Sequence, residues 1–122
     1  MSGELPFVRR GAIVLVDLDP SVGSEAAKLR PAVVMSNNTA NAAALRTGRG
    51  VLTVVPVTSN TAKVYPFQVL LPAASTGLSR DSKAQAEQLR AVSVVRVRRV
   101  IGWVPADLMA ELDAAVRLHL AL

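Results

Sequence analysis

The 122-residue sequence contains no cysteine and one histidine, His119, close to its last residue. Without cysteine there is no disulfide, no thiolate-bound metal and no cysteine nucleophile. Histidine and acidic residues do not cluster at metal-ligand spacing, and no glycine-rich phosphate loop occurs. We therefore expect neither a metal nor another cofactor, and interpret His119 as a structural residue in the last turn of a helix.

Aromatic residues make up 3% of the chain and hydrophobic residues 51%. The core must therefore consist mainly of Val, Leu, Ala and Ile, and valine favours strands. A surplus of aliphatic side chains in so short a chain predicts a subunit interface, and hence a homodimer. No apolar run is long enough to span a membrane, and residues 1–10 lack the apolar segment of a signal peptide, so we expect a cytoplasmic protein without a membrane partner.

Positive charge exceeds negative charge, with a net value of +5. Eleven of the 14 cations are arginine, whose planar guanidinium suits bidentate contacts with phosphate. The balance favours an anionic partner, although an ordinary basic surface would have the same composition.

The order of apolar patterns predicts one domain over residues 9–122, preceded by a tail at 1–8. Loops too short for helical crossovers predict a small twisted antiparallel sheet or barrel with a C-terminal helix packed on it. The predicted elements are strands at 12–18, 32–35, 51–57 and 65–71, one or two strands within 83–104, a helical turn from Asn37 to Leu45, and a helix from Pro105 onward.

Two residues are candidates for chemistry on a phosphate. Arg30 stands where a long polar loop joins the second strand, two residues after Lys28, and a guanidinium fixed there can stabilise developing negative charge. Thr58 ends the third strand and offers a hydroxyl at the sheet margin, although it also fits an ordinary turn residue.

Several motifs occur in a characteristic order. A glycine-led strand is followed by Val16-Asp-Leu-Asp-Pro20, Gly23-Ser-Glu25 and Arg30-Pro-Ala-Val-Val-Met-Ser36. Further on come Val55-Pro-Val-Thr-Ser-Asn60, Tyr65-Pro-Phe-Gln-Val69, Gly77-Leu-Ser-Arg-Asp-Ser82 and Glu87-Gln-Leu-Arg90. Over residues 9–122 the sequence resembles the MazF/PemK (Kid-type) toxins, which implies a mainly β fold with a C-terminal helix, an SH3-like barrel of the MazF/CcdB type.

The resemblance implies the toxin of a type II toxin–antitoxin system, a metal-independent, sequence-specific endoribonuclease. Arg30 and Thr58 match the catalytic pair, which assists attack by the ribose 2′-hydroxyl on single-stranded RNA and leaves a 2′,3′-cyclic phosphate and a 5′-hydroxyl. An antitoxin would inhibit the enzyme through a disordered acidic and apolar C-terminal segment. The residues that match RNA-binding positions are Gly23, Ser24, Glu25, Lys28, Ser59, Asn60, Lys63 and Gln88.

Two other functions fit parts of the pattern. A toxin of the same fold could act on DNA gyrase without cutting RNA, and a catalytically inactive barrel could bind nucleic acid through charge alone. The sequence departs from the family at Ala12, where relatives commonly carry an acid. The stretches 37–50 and 72–80 are also unlike the family, and we expect them to influence the preferred RNA sequence.

Overall fold

The computed structural model describes residues 8–19 and 28–122. Most of the predicted tail and residues 20–27 of the first long loop lie outside these ranges. The division into a tail at 1–8 and a domain at 9–122 stays a prediction.

Seven strands and three α-helices make up the described part of the chain. All the strand pairs are antiparallel, in the spatial order β4-β5-β3-β2-β1-β7, with β6 also paired to β3. The mainly β fold with a C-terminal helix is confirmed. The elements are β1 (Ala12–Asp19), β2 (Lys28–Val34), α1 (Asn38–Thr47), β3 (Val51–Thr58), β4 (Gln68–Leu71), α2 (Ala73–Thr76), β5 (Ser82–Gln85), β6 (Arg90–Ser93), β7 (Val97–Trp103) and α3 (Ala106–Leu120).

Strand β1 is buried on both faces, as its continuous apolar sequence predicts. Successive side chains of a strand point to opposite faces, so its even and odd positions enter different cores. Val14 and Val16 pack in a cluster with Ala44 of α1, whereas Ile13 packs in a second cluster with Leu112 of α3. The sheet therefore separates two apolar layers, each covered in part by a helix of the same chain.

Pro56 lies where β3 changes its partner on one side. Residues 51–54 pair with β6 and residues 57–58 pair with β5, so the ladder on this side is interrupted at 55–56. Proline has no N–H to donate, and this gap is a position where none is required. The prediction of an edge or bulge at Pro56 thus corresponds to a local edge, where one side of β3 has no paired strand.

Local capping signals define the helix ends. The side chain of Asn37 accepts a hydrogen bond from the Ala40 amide at 2.8 Å, and Gly48 ends α1 with a φ of 67°, a value that favours glycine. Helix α3 begins at Ala106, directly after Pro105, and His119 lies exposed in its last turn. Both predicted helices are present.

Two strands begin at positions other than those predicted. β2 begins at Lys28 rather than at residue 32, because pairing with β1 draws the polar segment 28–30 into the sheet. β4 begins at Gln68 rather than at residue 65, because a turn closed by the Gln68 amide and the Tyr65 carbonyl (2.8 Å) precedes it. Among the helices of the described chain, none is long and apolar enough to cross a membrane.

Substitutions at two leucines of α3 test which face of the helix packs in the core. Leu112 is fully buried and Leu118 is 59% exposed. Leu112→Ala should lower the free energy of unfolding by about 2–5 kcal/mol, because it leaves a cavity. Leu118→Ala should change it by less than about 0.5 kcal/mol. Urea unfolding measures both values, and an equal loss in the two variants would mean that Leu118 is covered in solution.

Candidate functional site

A groove of about 600 Å³ lies on the sheet next to the core cluster that contains Leu112. Its lining comes from β1, β2, β7, the end of β3 and the connection between α2 and β5. The lining residues are Leu15, Leu29, Arg30, Pro31, Val57, Thr58, Ser59, Gly77, Leu78, Ser79, Arg80, Ser82, Arg99 and Ile101.

The strand register explains why distant residues meet on the groove floor. Leu15 of β1 lies opposite Pro31 of β2 on one side and Arg99 of β7 on the other. Val57 of β3 also lines the groove and pairs with Ala84 of β5. The floor is therefore a row of apolar positions across adjacent strands, with a cationic residue at its β7 end.

Arg30 and Thr58 both border the groove. The pairing of β2 with β3 ends where Ala32 lies opposite Pro56, and the same antiparallel register, continued by two residues along each strand, would bring residue 30 alongside residue 58. Both residues line the groove, and they are therefore candidates for binding one phosphate group together.

The hydroxyl of Thr58 has a defined orientation. Its Oγ1 accepts a hydrogen bond from the Asn60 amide at 3.2 Å, in a turn that begins the loop after β3. The side-chain oxygen of Asn60 in turn accepts from the Ala62 amide at 3.3 Å. A hydroxyl has one donor and two acceptor positions, so this contact leaves the Thr58 hydrogen available to a substrate oxygen.

Charge around the groove has one sign. Three of the described lining residues are exposed arginines, Arg30, Arg80 and Arg99, and none of the described lining residues is acidic. Guanidinium groups remain protonated in proteins and bind phosphate through paired N–H donors. An apolar floor with a cationic border suits a chain of phosphates whose bases lie against the floor.

One wall of the groove depends on a close backbone contact. The segment 77–80 follows α2 and approaches β7 at Gly102, where an added Cβ would lie 2.3 Å from the Thr76 carbonyl oxygen. Only glycine permits this approach. Segment 77–80 belongs to a stretch expected to influence RNA preference, whereas none of the residues of the other such stretch, 37–50, lines the groove.

The remaining predicted site residues are distributed more widely. Ser59 lines the groove and Asn60 forms the adjoining turn, while Lys63 is exposed further along the same loop. Gln88 is exposed in a 3₁₀ turn and does not line the groove. The backbone of Lys28 belongs to β2, and Gly23, Ser24 and Glu25 lie outside the described residues.

The sequence analysis missed Arg80 and Arg99 as groove residues. Arg99 is one of several arginines near β7, and only its pairing with Leu15 distinguishes it from its neighbours. Arg80 lies in the connection after α2, whose last residue, Thr76, contacts Gly102 of β7. Within the ranges 8–19 and 28–122, no three His, Asp or Glu side chains are grouped so that they could hold a metal ion.

Comparisons with known proteins agree with this architecture. The sequence profile of the "PemK-like, MazF-like toxin of type II toxin-antitoxin system" matches residues 9–120. The chain is 64% identical to Endoribonuclease MazF9 of Mycobacterium tuberculosis over 116 residues, which cover 95% of this chain and 98% of that protein.

Solved structures give the same result. MazF of Deinococcus radiodurans superposes with a TM-score of 0.72 at 32% identity, covering 94% of this chain and 97% of that one. A MazE–MazF structure from the same organism superposes with a TM-score of 0.73 at 32% identity, covering 94% and 96%.

The matching sequence profile, the 64% identical relative and the shared fold define a toxin of the MazF type. The chain belongs to the PemK-like, MazF-like toxin family of type II toxin–antitoxin systems. The family, the fold and the endoribonuclease class expected from the sequence are thereby confirmed.

Gly102→Ala tests the origin of the groove wall. The new methyl group would force the Thr76 carbonyl away from β7, and we expect a loss of about 1–3 kcal/mol in the free energy of unfolding. Gly48→Ala is the comparison, since no atom lies within 4 Å of its added Cβ and only its positive φ is strained. Gly102→Ala should speed amide exchange in residues 76–80, and Gly48→Ala should not. Unchanged exchange in both variants would contradict the close contact.

Proposed function

We propose that this toxin cuts single-stranded RNA in the groove that contains Arg30 and Thr58, without a metal ion. One observation supports the proposal, which is that Arg30 and Thr58 both line one groove with a cationic border. The lining supplies cationic and hydroxyl groups, which suit stabilisation of a phosphate rather than covalent attack by the protein.

The proposed reaction is an internal transfer within the RNA. The ribose 2′-oxygen attacks the adjacent phosphorus, the new O2′–P bond forms, and the P–O5′ bond breaks. The 2′-hydroxyl gives its proton to water, and the leaving 5′-oxygen takes up a proton. The products are a 2′,3′-cyclic phosphate and a 5′-hydroxyl, so no water is consumed in the bond exchange.

Arg30 and Thr58 have different parts in this reaction. The Arg30 guanidinium neutralises the extra negative charge that the phosphorane carries, because it keeps its own charge throughout. The Thr58 hydroxyl, oriented by the Asn60 amide, donates to a nonbridging oxygen. Both contacts strengthen as charge develops, which lowers the barrier rather than only improving binding.

The other predicted RNA contacts extend this centre along the chain. Ser59, Asn60 and Lys63 follow Thr58 in the loop after β3, and the Ser59 side chain lines the groove beside it. We propose that this loop contacts nucleotides next to the cleaved bond. Single-stranded RNA can present unstacked bases to the apolar floor, whereas a duplex cannot. The further proposed RNA contacts are Lys28 and Gln88, with Gly23, Ser24 and Glu25 outside the described residues.

We also propose an antitoxin partner, a homodimer and action in the cytoplasm. A MazE–MazF pair is among the similar solved structures, and an acidic, partly apolar peptide matches the cationic border and apolar floor of the groove. Val95 and Trp103 are exposed apolar residues next to and within β7. A second copy that covers them would remove this apolar surface from water.

Substitutions at Thr58 and Arg30 test the catalytic pair. Thr58→Val keeps the side-chain shape but removes the hydroxyl, and we expect a loss of about 10²–10³-fold in the single-turnover rate. Thr58→Ser keeps the hydroxyl and should retain most activity. Arg30→Ala should lose at least as much activity as Thr58→Val while its unfolding curve stays near that of the unsubstituted protein. Full activity in Thr58→Val would remove the proposed role of the hydroxyl.

The substrate and the buffer test the chemistry. An RNA with a single 2′-deoxy nucleotide at the cut position should remain intact at that position, because the attacking group is absent. EDTA should leave cleavage of the unmodified RNA unchanged, since the proposed charge stabilisation comes from Arg30. Sequencing of the 5′-hydroxyl ends locates the cuts. Cleavage at the deoxy position, or loss of cleavage in EDTA, would contradict the mechanism.

A further inference from the structure

Lys83 is a buried cation next to the proposed site. It lies in β5, directly opposite Thr58 in the β3–β5 ladder, and is 7% exposed. Lysine is almost never buried to this degree unless its ammonium has partners, because removing a charge from water costs several kcal/mol. An apolar side chain at this position would avoid the free-energy cost of removing a charge from water. Its ammonium contacts therefore indicate a function other than core packing.

The contacts of Lys83 lie in the loop that follows Thr58. The ammonium donates a hydrogen bond to the carbonyl of Lys63 and lies 5.9 Å from the centre of the Tyr65 ring. This distance is within reach of a cation–π interaction. Tyr65 in turn stacks on Phe67, with ring centres 5.4 Å apart and planes 1° from parallel. One amino group thus touches the middle of the segment 59–67.

The ends of this segment are held by other groups. At its start, the Asn60 amide donates to Thr58. At its end, the backbone amide of Tyr65 donates to the side-chain oxygen of Gln68 at 3.1 Å. The side-chain nitrogen of Gln68, Nε2, donates to the Glu87 carboxylate at 2.7 Å. Between these points, Lys83 supplies the side-chain contact to the backbone of Lys63. The loop leaves β3 at Thr58, contacts Lys83, which is paired with Thr58, and enters β4 at Gln68.

We propose that Lys83 is a positioning residue of the RNA groove, whose ammonium fixes the loop 59–67 so that Ser59, Asn60 and Lys63 are ordered before RNA binds. The inference rests on the proposed function, because it assigns this loop to RNA binding. Arg30 and Thr58 are held by their own strands. Loss of the Lys83 contact should therefore weaken RNA binding more than it slows the chemical step, because the free loop must then be ordered on binding.

Lys83→Met is the central variant, because methionine preserves the length of the lysine stem and removes the ammonium. Replacing a buried charge by an apolar group of similar size is often neutral or stabilising, so the unfolding midpoint should not fall. Amide exchange in residues 59–67 should become at least about fivefold faster, while exchange in β1 and α3 stays unchanged. Lys83→Arg retains a cation and N–H donors, so its amide exchange in residues 59–67 should be closer to that of the unsubstituted protein than the exchange of Lys83→Met is.

RNA binding gives the second measurement, with an RNA made resistant by 2′-deoxy substitution at the cut position. Lys83→Met should bind roughly tenfold more weakly, and its single-turnover rate on saturating cleavable RNA should stay within about threefold of the original. Lys63→Met is the matched comparison, since it removes an exposed cation from the same loop. The loss of RNA affinity in Lys63→Met should shrink as salt is raised. The loss in Lys83→Met should persist, because ordering a loop releases no counterions.

Three results would overturn the inference. Unchanged exchange in 59–67 would show that Lys83 does not hold the loop. Faster exchange throughout the protein with a lower unfolding midpoint would mean that Lys83 serves only the fold. A rate at saturating RNA that falls as much as affinity would make Lys83 part of the chemical step. Failure of the unsubstituted protein to cut RNA would instead refute the proposed function, while the exchange measurement would still report on the loop.

Discussion

The site depends on the antiparallel ladder between β2 and β3. Its register, continued two residues beyond the Ala32–Pro56 pair, would bring residue 30 alongside residue 58, although they are far apart in sequence. A shift of one residue in register would turn each side chain to the opposite face of the sheet. The register is fixed because Val33 and Val55, also paired in this ladder, are both fully buried in the core beneath α3. Core packing and the positions of Arg30 and Thr58 therefore depend on the same two strands.

Much of this fold follows from local sequence signals. The continuous apolar run of β1 predicts burial on both faces, and Asn37, Gly48 and Pro105 mark helix ends by well-understood backbone preferences. Pro56 predicts an edge or a bulge, and the ladder on one side of β3 is interrupted beside it. These features could be predicted because each depends on residues close together in the chain.

The features that the sequence does not predict depend on partners distant in the chain. Residues 28–30 lack the pattern of a strand and become one only because β1 pairs with them. The prediction of Arg30 as a phosphate-binding residue followed from its position before a strand, but Arg99 required knowledge of its pairing with Leu15. The need for glycine at position 102 could not be predicted either, because it comes from the Thr76 carbonyl in another segment. Cross-strand contacts thus determine the part of the groove that sequence analysis missed.

The two proposals together divide the groove into a rigid centre and an adjustable border. Arg30 and Thr58 belong to strands that the core holds, so their geometry is costly to disturb. The loop 59–67 is attached by a few polar contacts, of which the Lys83 ammonium is the central one. Because a loop contributes affinity mainly when it is ordered in advance, changes at its anchor can alter which RNA binds while the chemistry is unchanged. A peptide that bound the arginines of the groove would exclude RNA, since both ligands need the same cationic surface.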